Sequence, residues 1–368
     1  MYGQLIEVGE KMKPKYEQLA DNLRAEILAG TYRENELIPS ENTLQERFQL
    51  SRHTVRQAIG ILVNEGFLRK ERGSGTYVSR PDKQPAQHKT IGVIMTYLSN
   101  YIFPAIIRGL EQELSSQGYS LLLGTTNNDH DQERECLKRM MDQGVDGLII
   151  EPTKSNQYNP NLAYYVAIKE QGIPFLMLNA YYEELDVQAI CVNDTKSGYL
   201  ATNHLIEKGH ENILLLTKID DLQGKYRMKG FIKAIQEAKL SVNADEMVTY
   251  TTETKNQTLT DLVSRLTQPA REVTGIVAYN DEIAYELIDQ LIQAGLSVPT
   301  DLSIVGNDDS ALAIGGRVPL TTLTHPKEEM GRLAAQYIIA AINGGDTPSY
   351  YFQPSLITRD SVLEITKK

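Results

Sequence analysis

Over the first eighty residues, apolar positions recur at helical spacing. Tyr16, Leu19, Leu23, Ile27 and Leu28 keep one side of a segment from Lys15 to Gly30, where the glycine is placed to end a helix. Val55, Ala58, Ile59 and Leu62 fall at i, i+3, i+4 and i+7, a second apolar helix face. Ser40 and Ser51 each open a helical stretch, where a serine oxygen accepts an orphan amide of the first turn. Gln49 and Leu50 form a short turn between the two stretches. The pattern then shifts: Phe67–Lys70 and Thr76–Ser79 flank Gly73 and Gly75, like two strands closed by a glycine turn. Helix, turn, helix and hairpin predict a winged helix-turn-helix domain over residues 12–80.

The segment 81–89 holds Pro81 and Pro85 among polar residues and predicts an extended, exposed linker. From Thr90 the rhythm changes again. Short apolar runs at Ile91–Met95, Ser120–Leu123, Gly147–Ile150 and Pro174–Leu178 alternate with helical stretches such as Pro104–Gln117 and Gln132–Gln143. A second set follows at Asn212–Leu216, Gly275–Ala278 and Leu302–Val305, separated by Tyr226–Ala238 and Asp281–Ala294. Buried runs alternating with helices predict α/β lobes, each a parallel sheet with helices on both faces. Two sets imply two lobes over residues 90–368, with a ligand cleft at the carboxyl ends of the strands.

Charge changes this picture only when it is counted by region. The chain of 368 residues carries a formal net charge of -11. Residues 1–80 hold 12 Lys/Arg against 11 Asp/Glu, a net of +1, so the remainder holds -12. Between Arg52 and Arg72 five basic residues (Arg52, Arg56, Arg69, Lys70, Arg72) face two acidic ones, Glu65 and Glu71. A local basic surface is what phosphate binding requires. Cys136 and Cys191 are too few for a disulfide framework and lack metal-ligand spacing. No apolar run reaches the ~18 residues that span a bilayer, and Glu7, Glu10 and Lys11 interrupt any leader pattern. A cytoplasmic protein without membrane association is expected.

Opposite the apolar face of the second helix stand Arg52, His53, Arg56 and Gln57, donors suited to phosphates and base edges. Pro39-Ser40-Glu41, Ser51 to Arg56, Glu65 to Leu68 and Gly73 to Val78 together resemble the signature of GntR-family DNA-binding domains. The resemblance implies binding to double-stranded operator DNA. Arg52, His53 and Arg56, with Thr54 beside them, are then the candidates for bases or flanking phosphates. Lys15, Ser40, Glu41, Arg72 and Gly75 are candidates for the backbone. Glu41 could accept from cytosine, or complement its helix N-terminus; the latter is favoured.

Residues 90 onward resemble the LacI/GalR-type sensor domain, itself similar to periplasmic sugar-binding proteins. The match runs in family order through Ile91 to Ile94, Asp146 to Ile149, Ala201 to Leu205, Gly209 to Ile213, Arg227 to Phe231, Ala278 to Asp281 and Val305 to Asp309. It implies a small-sugar effector between the lobes and a chain that crosses between them three times. By motif position Arg227 would reach ligand oxygens and Asp308 would accept from hydroxyls, with Asn280 and His325 facing the cleft. Glu151 directly follows an apolar strand and so points to the cleft. Tyr97, Tyr101 and Phe103 follow the first strand and could stack on a sugar face. His325 could equally be an ordinary loop histidine and Glu151 a cap; His204 and His210 are expected to be structural. Asn307 replaces an aromatic residue common in the family, and the prolines of the linker leave no counterpart to the family's hinge helix.

The two halves together, over residues 12–363, resemble the arabinose-responsive repressors. That implies L-arabinose as effector and release from DNA when it binds; another pentose or small sugar is the alternative. A homodimer reading two half-sites is expected, because one small reader buries little surface. No cofactor and no metal are implied. An enzyme is disfavoured: there is no nucleophile elbow, phosphate loop or Cys/His metal set. Asp308 and Asp309, adjacent on an extended strand end, would diverge rather than act as an acid/base pair. A transport-type binding protein would have no use for a winged helix.

Overall fold

The apolar stripes of the N-terminal segment meet in one small core. Leu19, Ala20, Leu23 and Ile27 of α1 (Lys15–Leu28) are buried with Leu44 of α2 (Glu41–Phe48) and with Val55, Ala58, Ile59 and Leu62 of α3 (Arg52–Asn64). The computed structural model describes residues 13–33, 35–71, 74–79, 89–98 and 101–365, which fall into two compact units, Met1–His88 and Lys89–Lys368. The linker prolines and Arg72 lie outside the described residues. Leu28 departs from the expected stripe and is exposed. It follows Ile27 by one residue, about 100° around the helix, and turns off the packed face.

Both serine caps form. Ser40 Oγ accepts from the Thr43 N–H and Ser51 Oγ from the Thr54 N–H, each at 3.2 Å. Gln49 takes a left-handed conformation at the end of α2, which lets the chain turn sharply into α3. Strands β1 (Leu68–Glu71) and β2 (Gly75–Val78) pair antiparallel, with Leu68 opposite Val78. Both are displaced from the sequence expectation, toward the turn. Gly75 is required where it stands: its φ is +131°, and a Cβ would come within 2.5 Å of the Leu37 side chain.

The larger unit has two lobes. In the first, β3 (Thr90–Met95), β4 (Ser120–Thr125), β5 (Gly147–Ile150), β6 (Phe175–Leu178) and β7 (Ala189–Val192) form a parallel sheet. Helices α4 (Phe103–Ser116), α5 (His130–Asp142) and α6 (Leu162–Glu170) cover it. The chain then crosses to the second lobe. There α7 (Asp194–Glu207), α8 (Leu222–Glu237), α9 (Lys255–Leu266) and α10 (Asp281–Gln293) surround β8 (Ile213–Lys218), β9 (Met247–Tyr250), β10 (Gly275–Ala278) and β11 (Ser303–Val305). This sheet too is parallel, in the order β11-β10-β8-β9.

A short helix, α11 (Ala311–Gly315), and β12 (Thr322–Leu323) precede the return. Helix α12 (Lys327–Ile342) packs on α4, and β13 (Tyr350–Phe352) adds to the edge of the first sheet beside β7. A third crossing brings β14 (Leu356–Ile357) back to pair with β12. Core residues lie on both faces of each sheet, as the uninterrupted apolar runs require. Helices α7 and α8 approach so closely that a Cβ on Gly198 would sit 2.0 Å from the Arg227 carbonyl oxygen, and one on Gly230 2.1 Å from that of Thr195. This contact fixes where Arg227 stands. Among the described residues no helix is long and apolar enough to cross a membrane.

Candidate DNA-reading surface and interlobe cleft

The outer side of α3 carries Arg52, His53, Arg56 and Gln57, all exposed. Glu41, in the first turn of α2, reaches across to two of them. Arg52 Nε donates to its Oε2 at 3.2 Å, and Arg56 Nε to both oxygens at 2.9 and 3.1 Å. Partial burial works against ionisation of Glu41, but the hydrogen bonds from Arg56 and Arg52 hold its carboxyl below the usual range. Both arginines use Nε, and among the described residues their terminal nitrogens make no hydrogen bond, which leaves them to form a fork toward DNA. Glu41 therefore does more than complement its helix terminus: it orients the arginines.

Thr54 is half-buried and its amide belongs to the Ser51 cap. Ser40 caps α2 in the same way. Lys15 is exposed in the first turn of α1 and Gly75 opens β2; among the described residues no hydrogen bond joins either to the Glu41 group. Glu41→Gln is expected to weaken specific operator binding about tenfold while the salt dependence stays the same, since no phosphate-facing cation is removed. Electrophoretic shifts at several salt concentrations measure both; an unchanged specific affinity would refute an orienting role.

Between the lobes of the larger unit lies a cavity of about 500 Å³, lined by Tyr97, Tyr101, Phe103, Glu151, Arg227, Asn280, Asp308 and His325 among others. The sequence offers all eight as contacts to an effector, and the fold brings all eight to one cavity. Arg227, on α8, is buried. Its Nε donates to Asp194 Oδ1 at 2.8 Å, Nη1 to the Tyr279 carbonyl at 2.6 Å and Nη2 to Asp308 Oδ1 at 3.4 Å. The guanidinium also lies 4.9 Å from the centre of the Tyr279 ring. Burial opposes its charge, yet the two carboxylates more than compensate, and its pKa is raised. Burial lifts Asp194 to about 6 against the pull of Arg227; at Asp308 burial also opposes ionisation, but the Arg227 charge with the hydrogen bonds from Tyr101 and Asn307 holds the carboxyl below its usual range.

Glu151 accepts from the Thr96 amide at 2.9 Å, from the Thr96 hydroxyl and from Asn179 Nδ2 at 2.7 Å. Burial raises its pKa. The Asn179 Oδ1 lies 3.2 Å from His325 Nε2, and burial lowers His325 to about 4, so the ring is neutral near pH 7. Asn280 Oδ1 caps α10 by accepting from Ile283 at 3.0 Å, which leaves its NH2 for other partners. Tyr97 and Phe103 pack as neighbours, with ring centres 5.8 Å apart. Tyr101 does not simply join this aromatic wall: its hydroxyl crosses to the other lobe and donates to Asp308.

Asp308 and Asp309 do diverge, the first toward Arg227 and the second toward Arg359 at 2.6 Å. Their backbone is not an extended strand end, however, since their φ values are +104° and +44°. His210 is held between Thr274 and the Leu363 carbonyl, a structural placement, and His204 is buried on α7. Sequence reasoning missed Asp194, Asn179, Lys218 and Tyr279. The strand-end argument that found Glu151 would also have found Lys218, the last residue of β8, whose ammonium lies 2.6 Å from Asp221.

Asp281 supports this region from behind. Its carboxylate accepts from the Ser310 amide at 2.7 Å and the Thr322 hydroxyl at 2.5 Å, and burial, with the charge on Asp308, pushes its pKa up to about 7. The folded state thus holds a proton that the unfolded chain loses near pH ~4. The stability this group contributes is complete below pH ~4 and lost as pH rises through about 7. Asp281→Asn should flatten that part of the stability–pH curve in denaturant melts. A slope identical to the parent between pH 4 and 7 would contradict this.

Residues 202–362 match the family described as periplasmic binding protein-like domain, and residues 15–78 match the gntR family of bacterial regulatory proteins. The chain is 45% identical over 366 residues to an arabinose metabolism transcriptional repressor of Halalkalibacterium halodurans, spanning 96% of this chain and 98% of that one. A repressor of the same description from Geobacillus stearothermophilus is 45% identical over 362 residues, spanning 97% and 100%. Among solved structures, a LacI family transcriptional regulator from Enterococcus faecium with bound ribose is similar at 28% identity, with a TM-score of 0.66 over 76% of this chain and 100% of that chain.

Proposed function

The chain belongs to the family of arabinose metabolism transcriptional repressors, and from that premise we propose that it leaves its operator when L-arabinose enters the interlobe cleft. It is a sugar-responsive transcriptional repressor, not an enzyme. The observation that carries the choice of ligand class is the charge balance of the cavity. Arg227 is already matched by Asp194 and Asp308, and Lys218 by Asp221. Lys255, also in the lining, is paired with Glu286 at 2.8 Å, so an anion would meet no spare cation among the described residues, whereas a neutral polyol finds carboxylate acceptors, guanidinium and amide donors, and an aromatic wall.

In this reading Arg227, Asp308 and Asn280 bond the sugar hydroxyls, Glu151 and His325 complete the polar lining, and Tyr97 supplies the ring face. Arg52, His53 and Arg56, with Thr54 beside them, reach bases or adjacent phosphates, and Glu41 orients the two arginines; Lys15, Ser40, Arg72 and Gly75 contact the backbone. A homodimer in the cytoplasm places two readers on two half-sites. Ribose, bound by the Enterococcus faecium regulator, makes another pentose the second reading.

Calorimetric titration with L-arabinose, D-ribose and D-xylose, with and without operator DNA, tests the proposal. L-Arabinose is expected to bind tightest, and to bind the DNA complex more weakly by the same factor by which it weakens DNA binding. Equal affinity for free and DNA-bound protein would sink it; tighter binding of another pentose would move the assignment to that sugar.

A further inference from the structure

We propose that Tyr101 is an interlobe latch: its hydroxyl, carried by the first lobe, fastens to Asp308 of the second and sets how readily the cleft stays closed. This rests on the reading of the cleft as the effector site. Tyr101 stands between β3 and α4. Its hydroxyl donates to Asp308 Oδ2 at 2.5 Å and receives the Asp281 N–H at 3.3 Å, both partners belonging to the other lobe. Part of the ring borders the cavity, but the hydroxyl end is withdrawn from water, and burial with the nearby Asp308 charge keeps it protonated as a donor.

Both partners are held in backbone conformations that L-residues seldom adopt, with φ of +79° at Tyr101 and +104° at Asp308. Such conformations persist where the surroundings fix them, and they gather at switch and ligand sites. Other polar ties join the lobes, but among the described residues none reaches the Asp308 carboxylate: the Leu222 amide donates to Ser155 Oγ at 2.9 Å, Asn128 Nδ2 to Thr252 Oγ1 at 2.7 Å, and Lys327 Nζ to the Asp308 and Asp309 carbonyls at 2.6 and 2.9 Å. Lys154 pairs with Glu253, and Lys225 with Glu183, but each carboxylate is more than half exposed or close to it. Exposed ion pairs of this sort contribute little. A desolvated phenol on a carboxylate is a charge-assisted bond, and it can form only when the lobes are together.

The bond also acts on the ligand site. Asp308 already receives Arg227 and Asn307 on Oδ1, so Tyr101 on Oδ2 completes its orientation. A sugar that binds the closed form gains from whatever the latch adds to closure, because a ligand's apparent affinity scales with the population of the competent state.

The test uses the full chain, with dyes on Glu170→Cys in the first lobe and Gln236→Cys in the second; both native residues are exposed, and Cys136 and Cys191 are buried. Tyr101→Phe keeps the ring and removes the hydroxyl. In sugar-free protein it should lower transfer efficiency between the dyes, reporting a wider cleft, and saturating L-arabinose should restore the parent value. The dissociation constant for L-arabinose should rise about tenfold, which is ~1.4 kcal/mol. An unchanged sugar-free efficiency in Tyr101→Phe would overturn the latch, whatever happens to the affinity. Failure of every pentose to bind the parent protein would instead strike the effector assignment, leaving the sugar-free comparison to decide the latch.

Discussion

Arg227→Ala is expected to abolish sugar binding and leave the repressor on its operator at every sugar concentration. The buried side chain joins Asp194, Asp308 and the Tyr279 carbonyl. Its removal strands two carboxylates, and breaking a buried pair by deleting one partner costs about 3–5 kcal/mol. Asp194, already lifted to about 6 by burial, should then bind a proton at neutral pH. Arg227→Lys is not a rescue, because one ammonium cannot satisfy three acceptors arranged around a planar fork. It is nevertheless the cleaner probe, since it retains a charge between the two acids. Calorimetry, thermal melts and operator shifts on both variants distinguish the outcomes. Near-parental L-arabinose affinity in Arg227→Lys would remove Arg227 from the ligand site.

Arg56→Ala should do the converse: operator binding is lost and sugar affinity is untouched. Arg56 is exposed, with Nε on Glu41 and its terminal nitrogens without a hydrogen bond among the described residues. A bidentate base contact is worth ~1–3 kcal/mol. The proposed homodimer would use the residue twice, which makes the expected loss ~2–6 kcal/mol, or roughly 30-fold to 20,000-fold in operator affinity. The variant also releases Glu41 from one of its two arginines and so places a less compensated acid near phosphate. Loss of sugar binding in parallel would mean that Arg56 has a structural role. Retention of operator binding within a few-fold would place base reading elsewhere on α3.

How far these sites were legible in the sequence follows from how local their causes are. The winged helix was readable almost in full, because the caps at Ser40 and Ser51 and the stripe from Val55 to Leu62 act within one turn or one helix. The strands Ile91–Met95 and Gly147–Ile150 were equally plain as short buried runs. Less visible were β9, half-buried at Met247 and Val248 and exposed at Thr249, and β13, whose Tyr350 and Tyr351 are exposed. Neither presents the uninterrupted apolar run that marked its neighbours.

In the cleft, Arg227 and Asp308 were found through their motifs and Glu151 through its strand end. Asp194, which holds Arg227, was hidden because the pair forms only through the glycine contact of α7 on α8. The grip of Glu41 on Arg52 and Arg56 was hidden for a similar reason. The three residues are 11 and 15 positions apart, and the turn at Gln49 brings them together.

The late return of the chain also orders events during synthesis. The winged helix is complete within the first unit and can fold as soon as that segment leaves the ribosome. The first lobe cannot. Its covering helix α12 and edge strand β13 follow β8–β12 of the second lobe, and β14 then closes against β12. A nascent chain therefore carries a finished DNA reader while the part that senses sugar is still unfinished. Chains stalled before Lys327 would retain the reader and lack the element that covers α4. Arrested translation of this protein would thus yield fragments able to fold a DNA-reading module but deaf to the effector.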